Sequence, residues 1–375
     1  MNEPTVTTID LPRQRLWSLD TLRGFDMFWI IGGDAFFRTL AKTTDWGWAD
    51  SLAFQLEHVE WEGLRAYDMI FPLFMFISGV AIPYAQGSRR QRGATRADIV
   101  RKTVIRALVL VLLGLAVNGI LKFQFDDFRW PSVLGQIGLA YLGASLIVLF
   151  THNFLSRALW LFGILIGYAC VQLFIPVPGI GAGALTPEGI INGYIDRMIL
   201  PGRLYGGAFD PEGILCIVSA TGITLMGALV GQFLRRNEVT GSRKALLIFL
   251  AGAVFYTIGW AIAPWYPPIK AAWTTTFNLQ AGGISMMLLA VFYLIIDVWN
   301  LRGWTFVFRV IGLNAITIYM INHRLIDFRH AAEFLFTGLA SMSETWQPLI
   351  LIAAALTLKW LFLYFLYKKN VFLRV

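Results

Sequence analysis

Residues His58 to Gly79 read HVEWEGLRAYDMIFPLFMFISG, a polar and aromatic opening that runs directly into an apolar stretch of helix length. Glu57, His58, Glu60, Trp61, Glu62, Arg65 and Asp68 crowd the opening, and no charged residue follows until Arg89. Ionisable groups at the edge of hydrocarbon cost free energy unless they pair or face a cavity. The stretch therefore carries two expectations together: a membrane helix, and a candidate site at its mouth.

The composition extends the first expectation to the whole chain. Of 375 residues 57% are hydrophobic and 14% charged, with mean hydropathy +0.62, against roughly 25% charged in a soluble domain. Ten apolar segments, at 20–40, 66–86, 103–121, 133–151, 157–175, 213–234, 244–264, 279–298, 306–322 and 347–367, approach the roughly 20 residues that cross a bilayer. They are too long and too uniformly apolar for the strands of a β-barrel. The expectation is an all-α polytopic membrane protein of about ten transmembrane helices: a cytoplasmic tail at 1–17, then one membrane domain at 18–375. The tail lacks an apolar core and a small-residue cleavage site, so no signal peptide is expected.

The net charge of +8 raises nucleic acid as a partner, but its distribution points to topology. With the N-terminus inside, 20 of the 31 basic residues fall on the cytoplasmic side, including the run from Arg89 to Arg106. That distribution sets both termini inside and names the lipid bilayer, not nucleic acid, as the partner. The external loops are then 41–65, 122–132, 176–212, 265–278 and 323–346, which places His58 outside. The longest of them, rich in Gly and Pro, holds a potential interfacial helix at 190–200 and could roof a site. Cys170 and Cys216 fall in spans with no disulfide or metal spacing, and both read as packing residues.

Several polar positions carry competing readings. Asp20 and Arg23 share a helix face and form a structural ion pair behind a Ser18 N-cap, or else bind an anionic ligand. Asp26 and Asp34 lie eight residues apart, about one face of an unbroken helix. Asp34, after Gly32-Gly33, is within plausible reach of His58, and a carboxylate beside a histidine makes it a better base. Asp68 caps the second span or serves in catalysis. Trp61 is an interface anchor or the platform for a sugar face, with Glu62 next to it. Gln136, Asp210 with Glu212, Lys270 with Trp273, and Asn314 with His323 mark further polar junctions at the same membrane face, as an extracytoplasmic pocket requires. No Walker loop, dinucleotide fingerprint, HExxH or paired CxxC occurs, so ATP-driven and zinc mechanisms have no support and no metal is expected. A transporter would use the same acids as proton or substrate sites, but it expects two related halves, and no internal symmetry is visible.

SLDTLRG, HVEWEGLRAYDMIFPLFMFISG, WPSVLGQIGLAYL, FDPEGIL, KAAWTTTF and GLNAITIYMINH, in this order, resemble the heparan-alpha-glucosaminide N-acetyltransferase family over residues 16 to about 330. The resemblance implies acetyl-CoA as the cytoplasmic donor and a glucosamine-type amino sugar as the acceptor across the membrane. It matches the family's active-site histidine to His58, its motif aspartate to Asp68 and its Lys-x-x-Trp pair to Lys270 and Trp273. The family's asparagine at the end of the first span is Asp34 here, and its fourth-span Gln-Arg pair is Gly135-Gln136. A bacterial inner-membrane location and a homodimer are compatible with the resemblance. O-acylation of a surface glycan is the neighbouring enzymatic alternative.

Overall fold

The computed structural model describes residues 16–125, 127–322 and 326–373. Seven helices among them are long and apolar enough to cross a membrane: Ala66–Gln91, Val133–Phe150, Phe154–Phe174, Ile214–Leu234, Gly241–Ile262, Thr275–Val298 and Gln347–Lys368. Their α-helical parts are α4 (Ile70–Gln91), α6 (Val133–Phe150), α7 (Phe154–Phe174), α9 (Ile214–Leu234), α10 (Gly241–Ile262), α11 (Thr275–Tyr293) and α15 (Gln347–Lys368). The protein is an all-α polytopic membrane protein.

The other three expected segments are helical too, but each is charged or interrupted. α5 (Arg96–Asn118) carries Arg96, Asp98, Arg101, Lys102 and Arg106 in its first half. The first segment is α1 (Trp17–Phe28), a π turn (Trp29–Gly33) and α2 (Asp34–Thr43); the ninth is α12 (Thr305–Leu313) and α13 (Ala315–Met320), broken at Asn314. Shorter helices fill the connections: α3 (Gly47–Gln55), α8 (Ile191–Ile199) and α14 (Phe328–Ala340). α8 coincides with the helix expected at 190–200. α14 and α3 occupy stretches that the topology assigned to external loops, and both have exposed apolar side chains, such as Phe334 and Trp48.

α4 and α9 form the centre. Their most apolar windows are 72% and 78% buried, against 17% for α7 and for α15 at the rim. Lipid tails are as apolar as leucine, so helices associate through close backbone approach at small residues. A Cβ on Gly79 would overlap the Thr224 carbonyl oxygen, and one on Gly227 the Phe76 carbonyl oxygen. Phe76, Met75, Ile223 and Met226 fill the seam around them. α4 is thereby fixed in place, and so is Asp68 at its entry.

The π turn changes what the spacing of two acids implied. Gly32 has φ 130°, so Asp26 and Asp34 do not lie on one continuous helix. Asp26 points into the interior, 1% exposed, with Oδ2 unpartnered, while Asp34 pairs with Arg38 at 2.5 Å. Carbonyls released by such a turn need new donors: Lys359 Nζ donates to Ile31 O at 2.6 Å, and Asn322 Nδ2 to Ile30 O at 3.5 Å. At the start of α1 the expected Ser18 cap is also replaced. Asp297 accepts from the backbone N–H groups of Trp17 and Ser18, both at 3.1 Å and one on each carboxylate oxygen, so it satisfies two of the orphan donors at the helix start. Asp20 and Arg23 lie 3.7 Å apart on α1.

Gly79→Val is expected to destabilise the protein by roughly 1–3 kcal/mol, the usual cost of overpacking, whereas Gly163→Ala, with open space around it, is nearly neutral. Thermal unfolding in detergent, followed by size-exclusion of the surviving monodisperse fraction, checks the contrast.

Candidate active site

Two loops about 200 residues apart in the sequence meet at the entry of α4. Glu62 and Ile269 form an antiparallel bridge, and Gly63 N donates to Pro268 O at 2.8 Å. Backbone pairing of this kind sets register, so Lys270, one residue past the bridge, is delivered to the His58 loop. Trp273 then turns the chain into α11 with φ 48°, in the left-handed region; its N–H donates to Lys270 O at 3.1 Å and its carbonyl accepts from Ser219 Oγ at 2.6 Å.

Asp68 is the hub. It is 1% exposed at the side chain and accepts from His58 Nδ1 at 2.7 Å, Lys270 Nζ at 3.1 Å, Arg65 N at 3.2 Å and Val59 N at 3.3 Å. A carboxylate only accepts, so His58 carries its proton on Nδ1, and Nε2 is left as the basic nitrogen. The His58 ring is 55% exposed and packs against Tyr67 at 4.7 Å between centroids. Tyr67 in turn interacts with Asp34. The two acids expected beside the histidine thus divide: Asp68 holds the imidazole, and Asp34 stands one ring further away with Arg38. Lys270 Nζ lies 3.0 Å from His58 Nδ1. Burial draws its ammonium below the ordinary lysine range, and Asp68 offsets part of that pull.

A second cluster abuts the first. Arg129 donates to Asp210 through Nε at 2.8 Å and Nη2 at 2.6 Å, and also to Glu212. Burial pushes the Glu212 carboxyl above the usual range and Arg129 pulls it back, while the two carboxylates more than offset the cost of burying the guanidinium. Arg129 was not among the residues singled out from the sequence. The signal was present at 210–212, where two acids entering a membrane helix require a cation.

His58, Lys270 and Glu212 share the polar end of a cavity of about 250 Å³ whose other walls are apolar, including Met27, Phe74, Ile137 and Ile316. A larger open recess of about 850 Å³ is lined by residues of α2 and α15, with Arg38, Asp50 and Glu57 on its walls.

The remaining expected positions are spread more widely. Trp61 Nε1 donates to Leu185 O at 2.7 Å and its ring meets Phe209 at 4.9 Å, so it ties the 176–212 loop to the His58 loop. Glu62 contributes its backbone to the bridge and has an exposed side chain. Trp273 is fully buried between Phe71 and Phe277. Asn314 donates to Val371 O at 3.1 Å, while its neighbours Ala315 and Ile316 line the cavity. His323 lies outside the described residues. Gln136 is buried, with both amide atoms unpartnered. No group of three or more His, Cys, Asp or Glu that could hold a metal occurs among the described residues.

A histidine, a carboxylate and a lysine at the polar end of an otherwise apolar cavity match the usual make-up of a small-molecule site, few polar groups on apolar walls. The chain belongs to the acyltransferase domain family, whose profile matches residues 16–367. It is 25% identical to heparan-alpha-glucosaminide N-acetyltransferase from Mus musculus over 374 residues, covering 85% of this chain and 56% of that protein. Against the Homo sapiens protein of the same name, identity is 25% over 432 residues, covering 100% of this chain and 62% of that one. The chain therefore spans about three-fifths of the length of these relatives.

Arg129→Ala leaves two buried carboxylates without their cation, and a loss of about 3–5 kcal/mol is expected. The double variant Asp210→Asn/Glu212→Gln in the Arg129→Ala background should recover part of that loss, which thermal unfolding of the three proteins resolves.

Proposed function

We propose that the protein moves the acetyl group of acetyl-CoA to the amine of a glucosamine-type amino sugar, with the donor entering from the cytoplasm and the acceptor held on the opposite side of a bacterial inner membrane. The observation that carries this reading is the His58–Asp68–Lys270 cluster at the polar end of an apolar cavity, in a chain that belongs to an acyltransferase family and is similar to two N-acetyltransferases.

The pantetheine arm of the donor suits the apolar walls lined by Met27, Phe74 and Ile137, with the thioester next to His58. The acceptor sits against the exposed part of the His58 ring, 55% of which is open, beside Tyr67. His58 Nε2 takes a proton from the amine as nitrogen adds to the thioester carbon. The C–S bond then breaks, and the CoA sulfur leaves as the thiol. Asp68 fixes the tautomer and stabilises the imidazolium. Lys270 keeps Asp68 ionised and sets a positive charge near the developing oxyanion. Asp34 acts at one remove, by orienting Tyr67 against the imidazole. An acetyl-imidazole on His58 is the two-step variant of the same chemistry.

The interruptions at Trp29–Gly33 and Asn314 are also features of transporters, which makes uptake the second reading. Purified protein supplied with acetyl-CoA and glucosamine should release CoA only when both are present. His58→Ala should abolish the release, and Asp68→Asn should lower kcat by about a hundredfold or more. CoA release at the parent rate in His58→Ala overturns the assignment. Sugar uptake into vesicles without acetylation replaces it with transport. Acetylation of N-acetylglucosamine, which has no free amine, moves the acceptor to a hydroxyl.

A further inference from the structure

We propose that Lys270 is itself an acetylation site: when no acceptor amine is present, an acetyl thioester in the cavity acylates Lys270 Nζ and shuts the site down. The inference rests on the donor reading above.

The geometry singles out this lysine. Its Nζ is a primary amine, the same nucleophile as the amine of an amino sugar, and it lines the same cavity as His58. It stands 3.0 Å from the imidazole and 3.1 Å from Asp68, with its side chain 24% exposed. Burial favours its neutral form, which is the form that attacks a carbonyl. Lys244 and Lys359 are also held inside the protein, but each donates to a backbone carbonyl, which cannot accept a proton in exchange.

The step balances without a further reagent. Asp68, 3.1 Å from Nζ, takes one proton from the Lys270 ammonium, and the neutral nitrogen adds to the thioester carbonyl carbon. The C–S bond breaks, and the sulfur takes up the proton that nitrogen sheds as the amide forms. One thioester is consumed, one amide and one CoA thiol appear, and Asp68 returns its proton to solvent. An amide nitrogen cannot pass the acetyl group onward. The reaction also removes the positive charge facing Asp68, which leaves the carboxylate to the imidazole and two backbone N–H groups and favours a protonated, non-basic His58. A bound acceptor competes for the same acyl group, so the modification accumulates only when donor is present without acceptor.

The full chain in detergent is incubated with acetyl-CoA alone, treated with hydroxylamine to strip any acetyl-imidazole, digested and mapped by mass spectrometry. Lys270 is expected to acquire one acetyl group about tenfold faster than any other lysine, a difference of about 1.4 kcal/mol in barrier. Glucosamine should suppress the modification, and activity should decline in step with it. Lys270→Arg, as an independent measurement, should lose the stable label with the other lysines unchanged. Transfer to glucosamine by a protein whose Lys270 stays unmodified overturns this inference and leaves the proposed function standing. Labelled Lys270 with no sugar acetylation does the reverse. Uniform labelling of all exposed lysines also overturns it, since that is bulk chemistry.

Discussion

A carboxylate cut off from water at the entrance of a membrane helix must find its hydrogen-bond donors in the chain, and the placement of everything around Asp68 follows from that requirement. Its four donors come from the turn that caps α4, from the loop just before it, and from a lysine 202 residues further along. Satisfying Asp68 thus ties two distant loops together, orients His58 and leaves one imidazole nitrogen free. Removing any donor would expose the carboxylate's unmet demand, so the geometry is held by the cost of the alternatives.

The two ionic clusters at this end of the bundle serve different ends. Asp68, Lys270 and His58 are arranged around an exposed ring, with a proton that has somewhere to go. Arg129, Asp210 and Glu212 form a nearly closed set in which the guanidinium engages both acids and Asp210 also accepts from the Tyr205 and Glu212 backbone. A closed set of charges is rigid and reports on structure; an open one reports on chemistry. Glu212 belongs to both, since it is held by Arg129 and lines the cavity.

What the sequence disclosed depended on how local each relationship was. His58 and Asp68 are ten residues apart at the mouth of one helix, and the cost of charge beside lipid marks them at once. Lys270 was visible as a cation at the polar entry of another span. Arg129 was not, because its nearest acids in sequence are Asp126 and Asp127, while the carboxylates it binds lie 81 and 83 residues away. The π turn was equally hidden: Gly32-Gly33 reads as close packing, and the ammonium that supports the turn sits 328 residues later. Asn314 looked like one more polar group in a span, whereas the structure places a helix break there. Hydrophobic length located the membrane segments; it carried no information on whether a segment was continuous.

The left-handed backbone at Trp273 adds something that distances do not express. A tryptophan in that conformation costs on the order of 1–3 kcal/mol, and the fold sustains it by wedging the ring between Phe71 and Phe277 and holding the carbonyl with Ser219. The strain is met once, when the protein folds. Three residues upstream, a flexible lysine side chain therefore starts from a fixed backbone, and part of the conformational entropy that holding Nζ against Asp68 would otherwise cost has already been surrendered.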